Sequence, residues 1–302
     1  MALPRPAPAR RVFRPARRVS WGTRIFALLV FLVAVGAIGA FLEVLLPQQV
    51  AKLAEMEGNE LVQARKGTAD VNTAVAGLWA DLAPKGSMTL SADRMTEDLA
   101  LAKRTERSAD DALSHVQAAE AYMAQADGLP FQFHSPSFIA TDRAAAQHLE
   151  KALTTSIKLS HAATLQLTIA GHMSQNSQSL VSVNASLNAR DWTNAARTAS
   201  TIATDLKSQQ IPAGDPEALL DPLWAKWVDA MLGVAIDAQQ YSLASAANQT
   251  QQAQQAGRTL AAARDQLAAS FAAAQNGAGA WQAKTVQPVL DSVARETTAS
   301  GA

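Results

Sequence analysis

Cysteine is absent from the 302 residues. Its absence excludes disulfides, thiol nucleophiles and thiolate metal sites. Acidic residues are missing from positions 1–24, which carry seven Arg (Arg5, Arg10, Arg11, Arg14, Arg17, Arg18, Arg24). Aromatics make up 5% of the chain, too few for a core built mainly on rings. Alternating β-branched runs are missing, so no strand is expected. Residues 47–302 lack a second run of 18 apolar residues, so a second membrane span is not expected. The five His (His115, His134, His148, His161, His172) include no i, i+4 pair, the spacing of a helical metal site. No Gly-x-Ser-x-Gly, phosphate-cradling loop or dinucleotide fingerprint occurs. Asp110 and Asp111 point about 100° apart on a helix and make no carboxylate pair. The expectation is a protein without catalytic activity, cofactor or metal.

The organising feature is Ile25–Leu46. The first 18 of its 22 residues are uncharged, and Glu43 is its one ionisable group. About 20 apolar residues in a helix cross a bilayer's hydrocarbon core, and lipid leaves the backbone no partner outside the helix. Pro47 is expected to end the span. A cleaved signal peptide is the competing reading, because Gly36-Ala37-Ile38-Gly39-Ala40 supplies small residues. The apolar run continues past them to Leu46, which favours an uncleaved signal-anchor. Gly36 and Ala40 also form a small-xxx-small pair, the pattern with which two spans pack closely. These two residues are the candidate span-packing positions and a route to a homo-oligomer.

Charge sets the expected orientation. The whole chain is neutral, with 26 basic and 26 acidic residues, so removing the seven arginines leaves 19 against 26, a formal −7 for the rest. Basic flanks stay cytoplasmic. The expected placement is single-pass in the cell (inner or plasma) membrane, with the N-terminus inside and the bulk outside. An acidic bulk does not suit nucleic acid as a partner.

Beyond the span the chain reads as helix, at more than about two-thirds of its length, roughly double the usual share. Leu61, Ala64, Thr68, Val71, Val75, Leu78 and Leu82 step by 3 and 4, a heptad of the coiled-coil kind. Trp79 flanks it. Ala83–Ser87 breaks the helix. Ser91 or Asp93 caps the next one. Its seam is read as Met95, Leu99, Ala102, Glu106, Ala109, Leu113, Val116, Glu120 and Met123, with two glutamates out of place in an apolar row.

Residues 128–138 form the most distinctive loop. Two prolines exclude a helix there, and Phe131, Phe133 and Phe138 stand with His134. These four are the candidate partner-contact loop, the bland reading being that the rings plug the end of a bundle. A third helix starts near Thr141, with a polar stretch at Gly171–Ser179 that marks a kink or an exposed segment. Asp191 caps a short helix with the seam Trp192, Ala195, Ala199, Ile202 and Leu206. Lys207–Asp221 is a linker. The densest apolar cluster follows, and Trp224 and Trp227, one turn apart, are the candidate core aromatics. Tyr241–Gly257 reads as an exposed helical segment. Asn276-Gly277-Ala278-Gly279 reads as a break, and the last residues as a fraying end.

The expected architecture is all-α: one N-terminal transmembrane helix followed by an elongated antiparallel bundle of four to six helices. The expected divisions are 1–24 basic cytoplasmic tail, 25–46 signal-anchor, 48–210 long-helix bundle, 211–293 C-terminal helices on the same bundle, and 294–302 frayed tail. The expected function is a non-enzymatic scaffold, adaptor or subunit of a cell-envelope complex, whose partners are the lipid bilayer and other membrane or envelope proteins. The alternative is an extracytoplasmic bundle that senses a small solute and signals through a partner.

Overall fold

A computed structural model describes residues 21–82, 91–130, 135–209, 219 and 222–302. Of these, 93% are helical and none is in a strand. Every site on the described chain is therefore built from helix faces and the corners between them. The elements are α1 (Trp21–Ala40), a π-helical turn (Phe41–Leu45), α2 (Leu46–Leu82), α3 (Ala92–Asp127), α4 (Ser137–Asn188), α5 (Trp192–Ser208), α6 (Pro222–Ala246), α7 (Thr250–Thr285) and α8 (Gln287–Ala299).

Pro47 does not end the first helix. Helix runs unbroken from Arg24 to Leu82, 59 residues, about 88 Å at 1.5 Å per residue. A proline inside an α-helix lacks an N–H, and its ring clashes with the carbonyl four residues back. Here the turn just before Pro47 is widened instead. The Leu46 N–H reaches back five residues to the Phe41 carbonyl, and a π turn of this kind absorbs the misfit without breaking the rod.

This helix is the one described element long and apolar enough to cross a membrane, and it lies near the N-terminus. Its first part carries most of the exposed large apolar side chains. Trp21 to Leu45 hold thirteen of them; the remaining described chain holds three, Val62, Val181 and Leu243. A contiguous apolar surface of this size is uncommon on a domain that faces water.

Beyond it, α2–α3, α3–α4, α4–α5, α5–α6 and α6–α7 pack in sequence order, as short connections favour. Facing pairs give the register. Glu60 meets His115 and Asp81 meets Arg94, so α2 and α3 run antiparallel. Tyr241 lies against Gly257 and Leu223 against Gly277, so α6 and α7 do too. α8 continues α7 past a one-residue turn at Val286 and lies on α4 and α2. Counted with α7, it makes six helices in the bundle.

Two apolar cores result. The first is built from α2, α3, the N-terminal half of α4, and α8. The second is built from the C-terminal half of α4, α5, α6 and α7. The dividing point falls inside α4, between Leu167 and Ile169. α4 is 52 residues long, about 78 Å, and is the strut common to both. Gly171–Ser179 does not break it; the helix is continuous there, and Met173 and Asn176 are buried.

The seven seam positions read for α2 are all buried, and Trp79 is buried with them rather than flanking. In α3 five of the nine expected seam positions lie outside the buried row. The buried row is Asp98, Ala102, Thr105, Ala109, Ala112, Val116, Ala119, Met123 and Ala126. It shares Ala102, Ala109, Val116 and Met123 with the expected row, but Glu106 and Glu120 fall on its half-exposed flank. The small side chains Ala112, Ala119 and Ala126 let α2 come close. A Cβ built on Gly67 would sit 2.8 Å from the Ala112 Cβ.

Three corners also differ from expectation. Asn276–Gly279 is helical, and Gly277 is there for packing: a Cβ on it would lie 2.4 Å from Leu223 Cδ1. The break comes earlier, at Ala247–Gln249, where Asn248 takes a left-handed conformation with φ 56°, as asparagine does at helix ends. The last residues do not fray. α8 extends to Ala299, Thr297 and Ser300 are buried, and the Arg65 Nε–H donates to the Ser300 carbonyl at 3.0 Å. The expected caps are in place, Ser91 accepting from the Arg94 N–H and Asp191 from the Asn194 N–H.

Candidate functional site

Trp224 and Trp227 sit one turn apart on α6 because the helical period puts positions three apart on one face. Both are buried in the second core, edge to face with centroids 5.8 Å apart. Trp227 also stacks obliquely on Phe271 of α7, at 5.4 Å. These rings tie α6 to α7, and α5 ties α6 to α4. α4 and α7 themselves stay apart, which leaves an open groove of ≈ 380 Å³ between them.

The floor of the groove is Trp227 and Met231. Its walls are Ser177, Leu180 and Val181 of α4 and Leu267, Ala268 and Phe271 of α7. One end is closed by Asn184 and Arg264, whose guanidinium donates to the Asn184 Oδ1. Val181 keeps 69% of its surface exposed, which is unusual for a valine beside a core and leaves an apolar wall facing solvent. Arg264 is the only ionised side chain in the lining.

A second, polar cluster joins α4 to α5. Asp205 Oδ2 accepts from Asn176 Nδ2 at 2.7 Å and faces His172 Nδ1 at 3.2 Å. The Gln209 amide nitrogen meets His172 Nε2 at 3.2 Å. Since that amide donates, Nε2 accepts, and the proton of a neutral His172 sits on Nδ1 toward Asp205. The cluster acts as a polar staple between helices. His115 with Glu60 and His148 with Glu296, each at 2.6 Å, are staples of the same kind. Among the described residues no group of three or more His, Asp or Glu could hold a metal ion.

A third feature is Glu57, buried in α2 with Oε1 lacking a hydrogen-bond partner. Burial raises its pKa to about 7, helped by Asp142 and opposed by Arg65. Burial also pushes up Asp98 and Asp237. In contrast, hydrogen bonds from Lys151 and His148 pull Glu296 below the ordinary carboxylate range.

Of the partner-contact loop, Phe131, Phe133 and His134 lie outside the described residues. Phe138 is half-buried against the first core. The antiparallel register brings the end of α3 opposite the start of α2, next to the apolar segment. Gly36 and Ala40 are exposed on α1, and nothing lies within 4 Å of a Cβ on Gly36. The groove itself was not legible in the sequence. Trp227 reads as a core aromatic, and no signal joined it to Val181, Asn184 and Arg264.

No protein-family model, curated protein or solved structure matches this chain.

Proposed function

We propose that the protein is a membrane-anchored helical scaffold, an adaptor or subunit of a complex in the cell envelope, with its bundle outside the cytoplasm. The observation that carries the reading is the uninterrupted helix from Arg24 to Leu82. A span that continues without a hinge into the first core holds the bundle at a fixed angle to the bilayer. A rigid offset of this kind suits a part that positions other proteins, and a loosely tethered domain would not need it. The seven arginines before the span support the orientation through the preference of basic flanks for the cytoplasmic side.

Site-specific photocrosslinking in intact membranes tests it. A photoreactive residue placed along the exposed faces of α2, α3 and α7 is expected to give discrete adducts with one or a few proteins, clustered on one face. Adducts that are absent at every position, or a C-terminal reporter found in the cytosol, would overturn the reading. The solute-binding bundle is the second reading, and the α4–α7 groove is the observation that favours it.

A further inference from the structure

The open groove has a defined chemistry. Trp227 and Met231 offer a flat apolar floor, Val181 and Leu267 offer apolar walls, and Arg264 stands at one end. No carboxylate lines it, and Arg264 has no ion-pair partner among the described residues; its one hydrogen bond there goes to a neutral amide. A guanidinium has five N–H donors, so most remain for an anion.

The dimensions narrow the occupant. The walls run from Ser177 to Asn184 and from Arg264 to Phe271, two helical turns or about 10 Å at 1.5 Å per residue. The groove holds ≈ 380 Å³. That volume lies at the small end of ligand sites.

We propose that this groove binds an amphipathic anion, a single medium-length hydrocarbon chain ending in a carboxylate. The chain lies over Trp227 and Met231, and the carboxylate pairs with Arg264 in the fork geometry that guanidinium and carboxylate share. The inference gives chemical content to the solute-binding reading and is independent of the scaffold reading. Occupancy can be measured alone, whereas the sensing role fails separately if occupied protein changes no contact with a partner.

The test uses the full chain in lipid nanodiscs and a decanoate bearing a diazirine, with labelled peptides mapped by mass spectrometry. Label is expected on peptides containing Val181, Trp227 or Phe271. Unlabelled decanoate should compete, and decan-1-ol should compete far less. Arg264→Gln should weaken labelling about tenfold or more, the affinity carried by a charge-assisted hydrogen bond, and Arg264→Lys should retain much of it. Ala268→Phe, which fills the slot without altering charge, should also abolish labelling; circular dichroism checks that each variant is helical. Arg264 is exposed, so its variants decide the matter even if Ala268→Phe misfolds. Label confined to the Trp21–Leu46 segment, equal labelling of Arg264→Gln, equal competition by decanol, or adducts between two protein chains would each overturn the proposal.

Discussion

Replacing Glu57 with Gln should make the protein more stable at neutral pH and above, and should flatten its dependence on pH. The carboxyl is 2% exposed, and one of its oxygens has no partner. Removing a carboxylate from water disfavours the charged form, and the folded chain holds its pKa at about 7 against an ordinary value of 4.5. As pH rises through the window between these two values, the unfolded chain has already lost its proton and the folded chain still holds it. Stability therefore falls as pH rises. The carboxyl's contribution is intact below 4.5 and lost as pH passes about 7. At 1.36 kcal/mol for each pH unit of difference, the loss reaches at most about 3 kcal/mol. Local hydration and movement of Arg65 toward the charge reduce it. The amide keeps the shape and carries no titratable proton. Urea unfolding in detergent micelles, followed by tryptophan fluorescence at pH 5, 6, 7 and 8, measures the gap between Glu57→Gln and the parent. That gap should be small at pH 5 and widen by roughly 1–3 kcal/mol at pH 8. Every other ionisable group is shared by the two proteins and drops out of the difference. A gap constant from pH 5 to 8 would refute the account of Glu57 as a carboxyl held neutral by burial.

The close approach of α2 and α3 gives a second prediction. Gly67→Ala should cost about 1–3 kcal/mol from overpacking against Ala112, partly offset by alanine's higher helix propensity, and Ala112→Gly in the same chain should recover most of the overpacking loss in a melting experiment. Truncating Trp224, fully buried at the centre of the second core, to Ala should cost about 3–5 kcal/mol, read from the urea midpoint. Glu296 acts in the opposite sense to Glu57. Its pKa is depressed by Lys151 and His148, so the stability it lends is present above the unfolded value and is lost as acid drives it through the lower folded one. Hydrogen exchange should show α8 loosening first as pH falls, and Glu296→Gln should show the same loosening at neutral pH.

Much of the fold is legible one residue at a time. The length and hydropathy of Ile25–Leu46 belong to the chain itself, as do the 3–4 steps from Leu61 to Leu82 and the caps at Ser91 and Asp191. Each depends on the helical period or on a local hydrogen bond, so neighbours in sequence suffice to read it. The π turn before Pro47 marks the edge of this legibility: proline announces a disturbed helix without saying whether the rod widens or breaks.

What arrives from elsewhere in the chain cannot be read that way. Glu106 and Glu120 fit a heptad as well as Thr105 and Ala119 do; the approach of α2 and α4 chose which row was buried. Gly277 looked like a helix breaker until Leu223 was found beside it. Gln282 lies 203 positions from Trp79 yet donates to its carbonyl at 2.5 Å, satisfying one of the acceptors that the end of α2 leaves open. The groove exists because α5 and α6 hold α4 and α7 apart. Composition and periodicity thus determined an all-helical chain with one lipid-length apolar helix. Which helix faces meet, which glycines are close contacts and where a cleft stays open were decided in three dimensions, because each depends on the shape of a surface contributed by a distant segment.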